Sequence, residues 1–133
     1  MSRSGYSDDC DDNWQSIMYR GAVISAIRGK RGQELLRDLI AALDAMPDKR
    51  LITGDLEEGG DVCALGSVGK FRGVEMSGLD PGEPEEVAAA FKIAPALARE
   101  VVYMNDEWYD VESPEKRWER MRAWAVSKLV AQP

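Results

Sequence analysis

Ser67 and Lys70 stand three residues apart in Gly66-Ser67-Val68-Gly69-Lys70. This is the spacing of the acylating serine and its lysine in penicillin-binding enzymes, but the Ser-Asp-Asn and Lys-Thr-Gly companions of that mechanism are missing. The same residues resemble the end of a phosphate-binding P-loop. That motif needs glycine where Ala64 stands and a magnesium-binding hydroxyl where Phe71 stands, so it is rejected. Asp8, Asp9, Asp11 and Asp12 offer oxygen ligands to a hard cation without the spacing, central glycine or distal glutamate of a calcium loop. A solvated cap on the first helix, or an acidic strap over a nearby basic segment, accounts for them more simply. The chain has no histidine, which removes the usual general base near neutral pH and the commonest metal ligand. Cys10 lies among aspartates and Cys63 in an apolar run, and two such thiols do not make a disulfide framework. The expectation is a non-enzymatic protein with no catalytic residue, no metal and no cofactor.

Binding chemistry is better represented. Arg28-Gly29-Lys30-Arg31-Gly32-Gln33 combines glycines, which let a ligand approach the backbone, with fork-shaped arginine donors. Arg28, Lys30, Arg31 and Gln33 are therefore candidate binding residues, with Tyr6, Asp8 and Asp9 of the acidic arm beside them. Asn105-Asp106-Glu107, followed by Asp110 and Glu112 and flanked by Tyr103 and Trp108, forms a polar patch in which Asn105 and Asp106 are further candidates. Residues 86–102 carry Val87, Ala88, Phe91, Ile93, Ala98 and Val101 at the spacing of a helix-turn-helix. Lys92 replaces the usual turn glycine, and Arg99 is the only cation of the second helix, so this second reading, a nucleic-acid-binding regulator, lacks phosphate contacts.

Those residues need a frame, and the 133-residue chain has the means to build one domain: 44% of it is hydrophobic and 31% charged. The net charge of −7 is segregated, with −3 on residues 1–13, +3 on 14–50, −11 on 51–115 and +4 on 116–133. The basic ends can fold back on the acidic middle. No apolar run reaches the roughly 20 residues of a membrane span, and Met1-Ser2-Arg3-Ser4-Gly5 lacks the apolar core of a signal peptide, so a cytoplasmic protein is expected.

The periodicity predicts a mainly α fold: a polar acidic arm over 1–12, then a single α-rich domain over 13–133. From Asn13, a plausible N-cap, Trp14, Ile17, Met18, Ala22, Ile24, Ser25 and Ile27 recur at helical spacing up to Arg28. Gly32 opens a second helix with the stripe Leu35, Leu36, Leu39, Ile40, Leu43 and Met46, stopped by Pro47. Together they are expected to form an antiparallel helical hairpin that nucleates the core. Leu51-Ile52-Thr53 and Val62-Cys63-Ala64-Leu65 suit a short β-hairpin, although Cys63 to Lys70 fit a helical turn equally well. Residues 72–84 read as a loop, 85–91 and 95–106 as short helices, and Ser113 with Pro114 as the start of a last helix reaching about Val130. That helix carries Lys116, Arg117, Arg120, Arg122 and Lys128 beside its apolar stripe.

Tyr6-Ser7-Asp8-Asp9-Cys10-Asp11, Arg28-Gly29-Lys30-Arg31-Gly32-Gln33, Val62-Cys63-Ala64-Leu65-Gly66 and Asn105-Asp106-Glu107 resemble a group of small bacteriophage and prophage proteins for which no activity is established. The resemblance runs over nearly the whole chain. It implies a phage accessory protein in a bacterial cytoplasm that binds a host or phage macromolecule, redirecting a host factor or countering a host defence.

Overall fold

A computed structural model describes residues 13–108 and 111–130. The arm of residues 1–12 with Tyr6, Asp8 and Asp9, the capping role of Asn13, and Asp110 lie outside the described residues. The order is α1 (Asn13–Arg28), α2 (Lys30–Ala45), β1 (Glu57–Glu58), β2 (Asp61–Val62), α3 (Ala64–Arg72), α4 (Pro84–Phe91), α5 (Pro95–Asp106) and α6 (Pro114–Ser127). The chain is thus mainly helical with one two-stranded antiparallel sheet, Glu57 opposite Val62 and Glu58 opposite Asp61. No helix among the described residues is long and apolar enough to cross a membrane.

Two helices organise the packing. α2 lies against α3 and α6, and α5 against α1, α3, α4 and α6. Leu35, Leu36, Leu39 and Leu43 of α2 are fully buried with Leu97 and Val101 of α5, and each of the six helices among the described residues contributes to that one cluster. The predicted stripe of α2 is therefore the core stripe, but the helix begins at Lys30 rather than Gly32. Gly29 alone joins α1 to α2: its amide donates to Ser25 O at 3.1 Å and its carbonyl accepts from Gln33 N at 2.9 Å. A Cβ on Gly32 would sit 1.9 Å from Ala26 O and 2.7 Å from Ile27 O. Glycine is thus required there because the first turn of α2 touches the last turn of α1, not because it starts a helix.

α3 is the element that periodicity leaves ambiguous. Gly66, Ser67 and Gly69 are poor helix formers, yet Ala64 to Gly69 are all buried and packing overrides propensity. Cys63 Sγ caps the helix by accepting from Gly66 N at 3.3 Å, and Gly73 closes it at φ 73°, donating to the Gly69 and Lys70 carbonyls. The hairpin pairs 57–58 with 61–62, not Leu51-Ile52-Thr53 with residues 62–65. Leu51 and Ile52 extend past it, donating to Pro114 O at 3.0 Å and Val62 O at 2.9 Å.

Burial pushes the Cys63 thiol from its ordinary 9.0 up to about 12, with the Asp106 carboxylate adding to the effect. Above pH 9 the unfolded chain releases this proton while the folded chain keeps it, so stability falls as pH rises from 9 towards 12. Denaturant titrations at pH 8 and about 10.5 should show a steeper loss for the wild type than for Cys63→Ala, by up to roughly 2 kcal/mol. Parallel pH slopes would mean that the thiol is not the group responsible.

Candidate functional site

Arg28, Lys30 and Arg31 are exposed at the α1–α2 elbow, and none of them is ion-paired among the described residues. Gln33 is different. It is 5% exposed, and its Nε2 donates to Ile27 O at 2.8 Å and Lys128 O at 3.1 Å while its Oε1 accepts from Val130 N at 3.0 Å. The sequence placed Gln33 in a binding joint. The structure makes it a latch that ties the end of α1 to the segment after α6. Gln33→Leu should cost about 1–3 kcal/mol, and hydrogen exchange should show the Val130 amide losing its protection.

The polar patch is corrected in the same way. Asn105 is 1% and Asp106 6% exposed. Asn105 Oδ1 accepts from Ala64 N at 3.0 Å, at the start of α3, and its Nδ2 donates to Ile52 O and Asp106 Oδ1, both at 2.9 Å. These side chains point inward because α3 and the 50–52 segment lack other partners for those backbone groups, so neither is available to a docking protein.

The cations of α6 do not extend the elbow. Arg117, 3% exposed, donates through Nη1 to Leu51 O at 2.9 Å and through Nη2 to Glu112 O at 3.2 Å. Arg120 grips the Glu112 carboxylate at 2.7 and 3.0 Å and reaches Met104 O at 2.6 Å and Asn105 O at 3.2 Å, carbonyls at the end of α5. Arg122 forms a two-pronged pair with Asp44 of α2 at 2.6 and 2.9 Å, and its hydrogen bond holds the Asp44 carboxyl below its ordinary pKa. Three of the last helix's cations are therefore occupied within the domain.

The 86–102 corner has the predicted shape. Val87, Ala88, Phe91, Ile93, Ala98 and Val101 are buried, and Lys92 takes the left-handed turn conformation at φ 58°. A helix that reads DNA must present a free face to the groove, whereas every residue of α5 from Ala96 to Asp106 is at least partly buried. α1 accounts for much of that cover, with the Tyr19 hydroxyl donating to Ala96 O at 3.4 Å and Arg99 over the Tyr19 ring at 5.5 Å. Ser67 and Lys70 also part company. Ser67 Oγ donates to Ala64 O at 2.6 Å inside the core, and Lys70 Nζ turns to Gly60 O at 2.9 Å and Glu57 at 3.1 Å.

The surface that sequence reasoning missed is on α1. Tyr19, Val23, Ala26 and Ile27 face the core, while Trp14, Ile17, Met18 and Ile24 are 69, 53, 58 and 55% exposed on the opposite side. The signal was present: apolar residues occupy more of this helix's circumference than one buried face can use, and Arg20 is the only charge between Asn13 and Ile27. Ile24 also borders a groove of about 360 Å³ shared with Tyr103, Met104 and Glu107. Among the described residues no group of three or more Cys, Asp or Glu is placed to hold a metal ion.

Fold and surface together define a small mainly α domain with one helix that is apolar on both sides. Comparison of the chain with family models, with curated proteins and with solved structures returns no match.

Proposed function

We infer that this is a non-enzymatic binding protein whose contact face is the outer side of α1, ending in the cationic elbow. The supporting observation is the exposure of Trp14, Ile17, Met18 and Ile24 along one side of a helix whose other side already packs on the core. A surface helix of a globular domain ordinarily carries one apolar stripe. A second, contiguous one is characteristic of a face that meets another macromolecule, and Trp and Met are favoured anchors in such contacts. Arg28, Lys30 and Arg31 at its end suit an acidic rim on the partner. In the setting implied by the phage resemblance, that partner is a host or phage protein in the bacterial cytoplasm.

Affinity capture from a bacterial host, with wild type and Met18→Glu compared at matched thermal stability, tests the reading. A stoichiometric target held by the wild type and lost from the variant is the expected result. The same set of proteins on both would overturn it. Duplex DNA retained equally by both, with affinity falling steeply with salt, would select the nucleic-acid reading instead.

A further inference from the structure

We propose that the outer face of α1 pairs with the same face of a second copy, antiparallel, across a twofold axis that passes at Gly21. This rests on α1 being a contact face and names its occupant. Trp14, Ile17, Gly21, Ile24 and Arg28 follow the heptad spacing of a two-helix seam, with Met18 and Ser25 beside it. Gly21 lies in the middle of that seam, inside a helix, where glycine costs about 1 kcal/mol relative to alanine. Nothing lies within 4 Å of the place its Cβ would take, so no contact among the described residues calls for it. A crossing point does, because the missing side chain lets two helix axes approach closely.

Charge fits this arrangement in the antiparallel sense alone. With Gly21 on the axis, Trp14 faces the second copy's Arg28, an aromatic face against a cation, and Met18 faces its Ile24. A parallel pair would instead set Arg28 against Arg28 and Trp14 against Trp14. At their stated exposures, Trp14, Ile17, Met18 and Ile24 present on the order of 500 Å², comparable to the largest apolar patch of an ordinary monomer. Two copies covering it fully would bury about 1,000 Å², the threshold for a specific interface and the size of a weak, reversible one. A target protein and the second copy would compete for this face.

Sedimentation of the full chain between about 1 and 200 µM, the range over which a micromolar dimer dissociates, gives the first readout. A monomer–dimer equilibrium is expected, with Met18→Glu weakening it at least 10-fold while the circular dichroism spectrum stays helical. Oxidative cross-linking in a Cys10→Ser background gives the second. Gly21→Cys should link to itself, and an equal mixture of Trp14→Cys and Arg28→Cys chains should yield the mixed dimer, each homodimer forming far less. A chain that stays monomeric overturns the proposal, and if Met18→Glu still abolishes target capture the contact-face reading survives it. A dimer in which Gly21→Cys does not link overturns the antiparallel pairing.

Discussion

Arg117→Met should lose on the order of 3 kcal/mol of stability, as expected when one partner of a buried charge network is removed. Arg117 is buried on α6 and spans two segments that no helix holds in place: Leu51 O accepts from its Nη1 and Glu112 O from its Nη2. Its Nε lies 3.5 Å from Glu112 Oε1 as an ion pair, and that nitrogen makes no hydrogen bond. Methionine fills similar space but leaves one buried and one half-buried carbonyl without donors. Glu112 itself stays paired with Arg120, which keeps the loss from growing larger. Chemical denaturation is the measurement, and Arg122→Met is the control, because the exposed Arg122–Asp44 pair ties down no buried group. Equal effects from the two substitutions would mean that the carbonyls, not the charge, had been overvalued.

Gly66→Ala should be at least as severe, about 3 kcal/mol or more, at the upper end of what overpacking produces. A Cβ there would lie 1.9 Å from Leu56 O and 3.2 Å from Val62 Cβ. The obstacle is backbone, so no rotamer change relieves it. α3 and the hairpin would have to separate, breaking the 3.1 Å bond from Cys63 N to Leu56 O. Gly21→Ala is the contrast, since nothing within 4 Å opposes it and helix propensity favours it. Thermal melts of the two variants should therefore move in opposite directions at concentrations where the chain is monomeric.

Both glycines sit inside helices and look alike in one dimension. What separates them is a carbonyl ten residues away in sequence in one case and open space in the other.

Much of the secondary structure could be read directly. The Leu35 to Leu43 stripe, Pro47 after α2, and the Ser113-Pro114 start of α6 are local signals, and each places an element where the structure has it. The helix-turn-helix spacing likewise gave the correct corner at Lys92. The functional reading of that corner depended on α1 covering α5, a contact between residues some 77 apart that periodicity does not encode.

The candidate site was less legible for the same reason. A polar residue in a basic or acidic run looks like surface, and Arg28, Lys30 and Arg31 are surface. Gln33, Asn105 and Asp106 are not, because distant backbone groups at Val130, Ala64 and Ile52 needed partners and these side chains were the ones within reach. The apolar residues of α1 erred in the opposite direction: their spacing said core, yet the core had room for one face only. Sequence alone determined most of the helical segments, α3 excepted, and where charge accumulates, since both follow from neighbours along the chain. Which polar groups are satisfied inside and which apolar side chains remain in water was decided by tertiary packing, because burial is a property of the assembled surface.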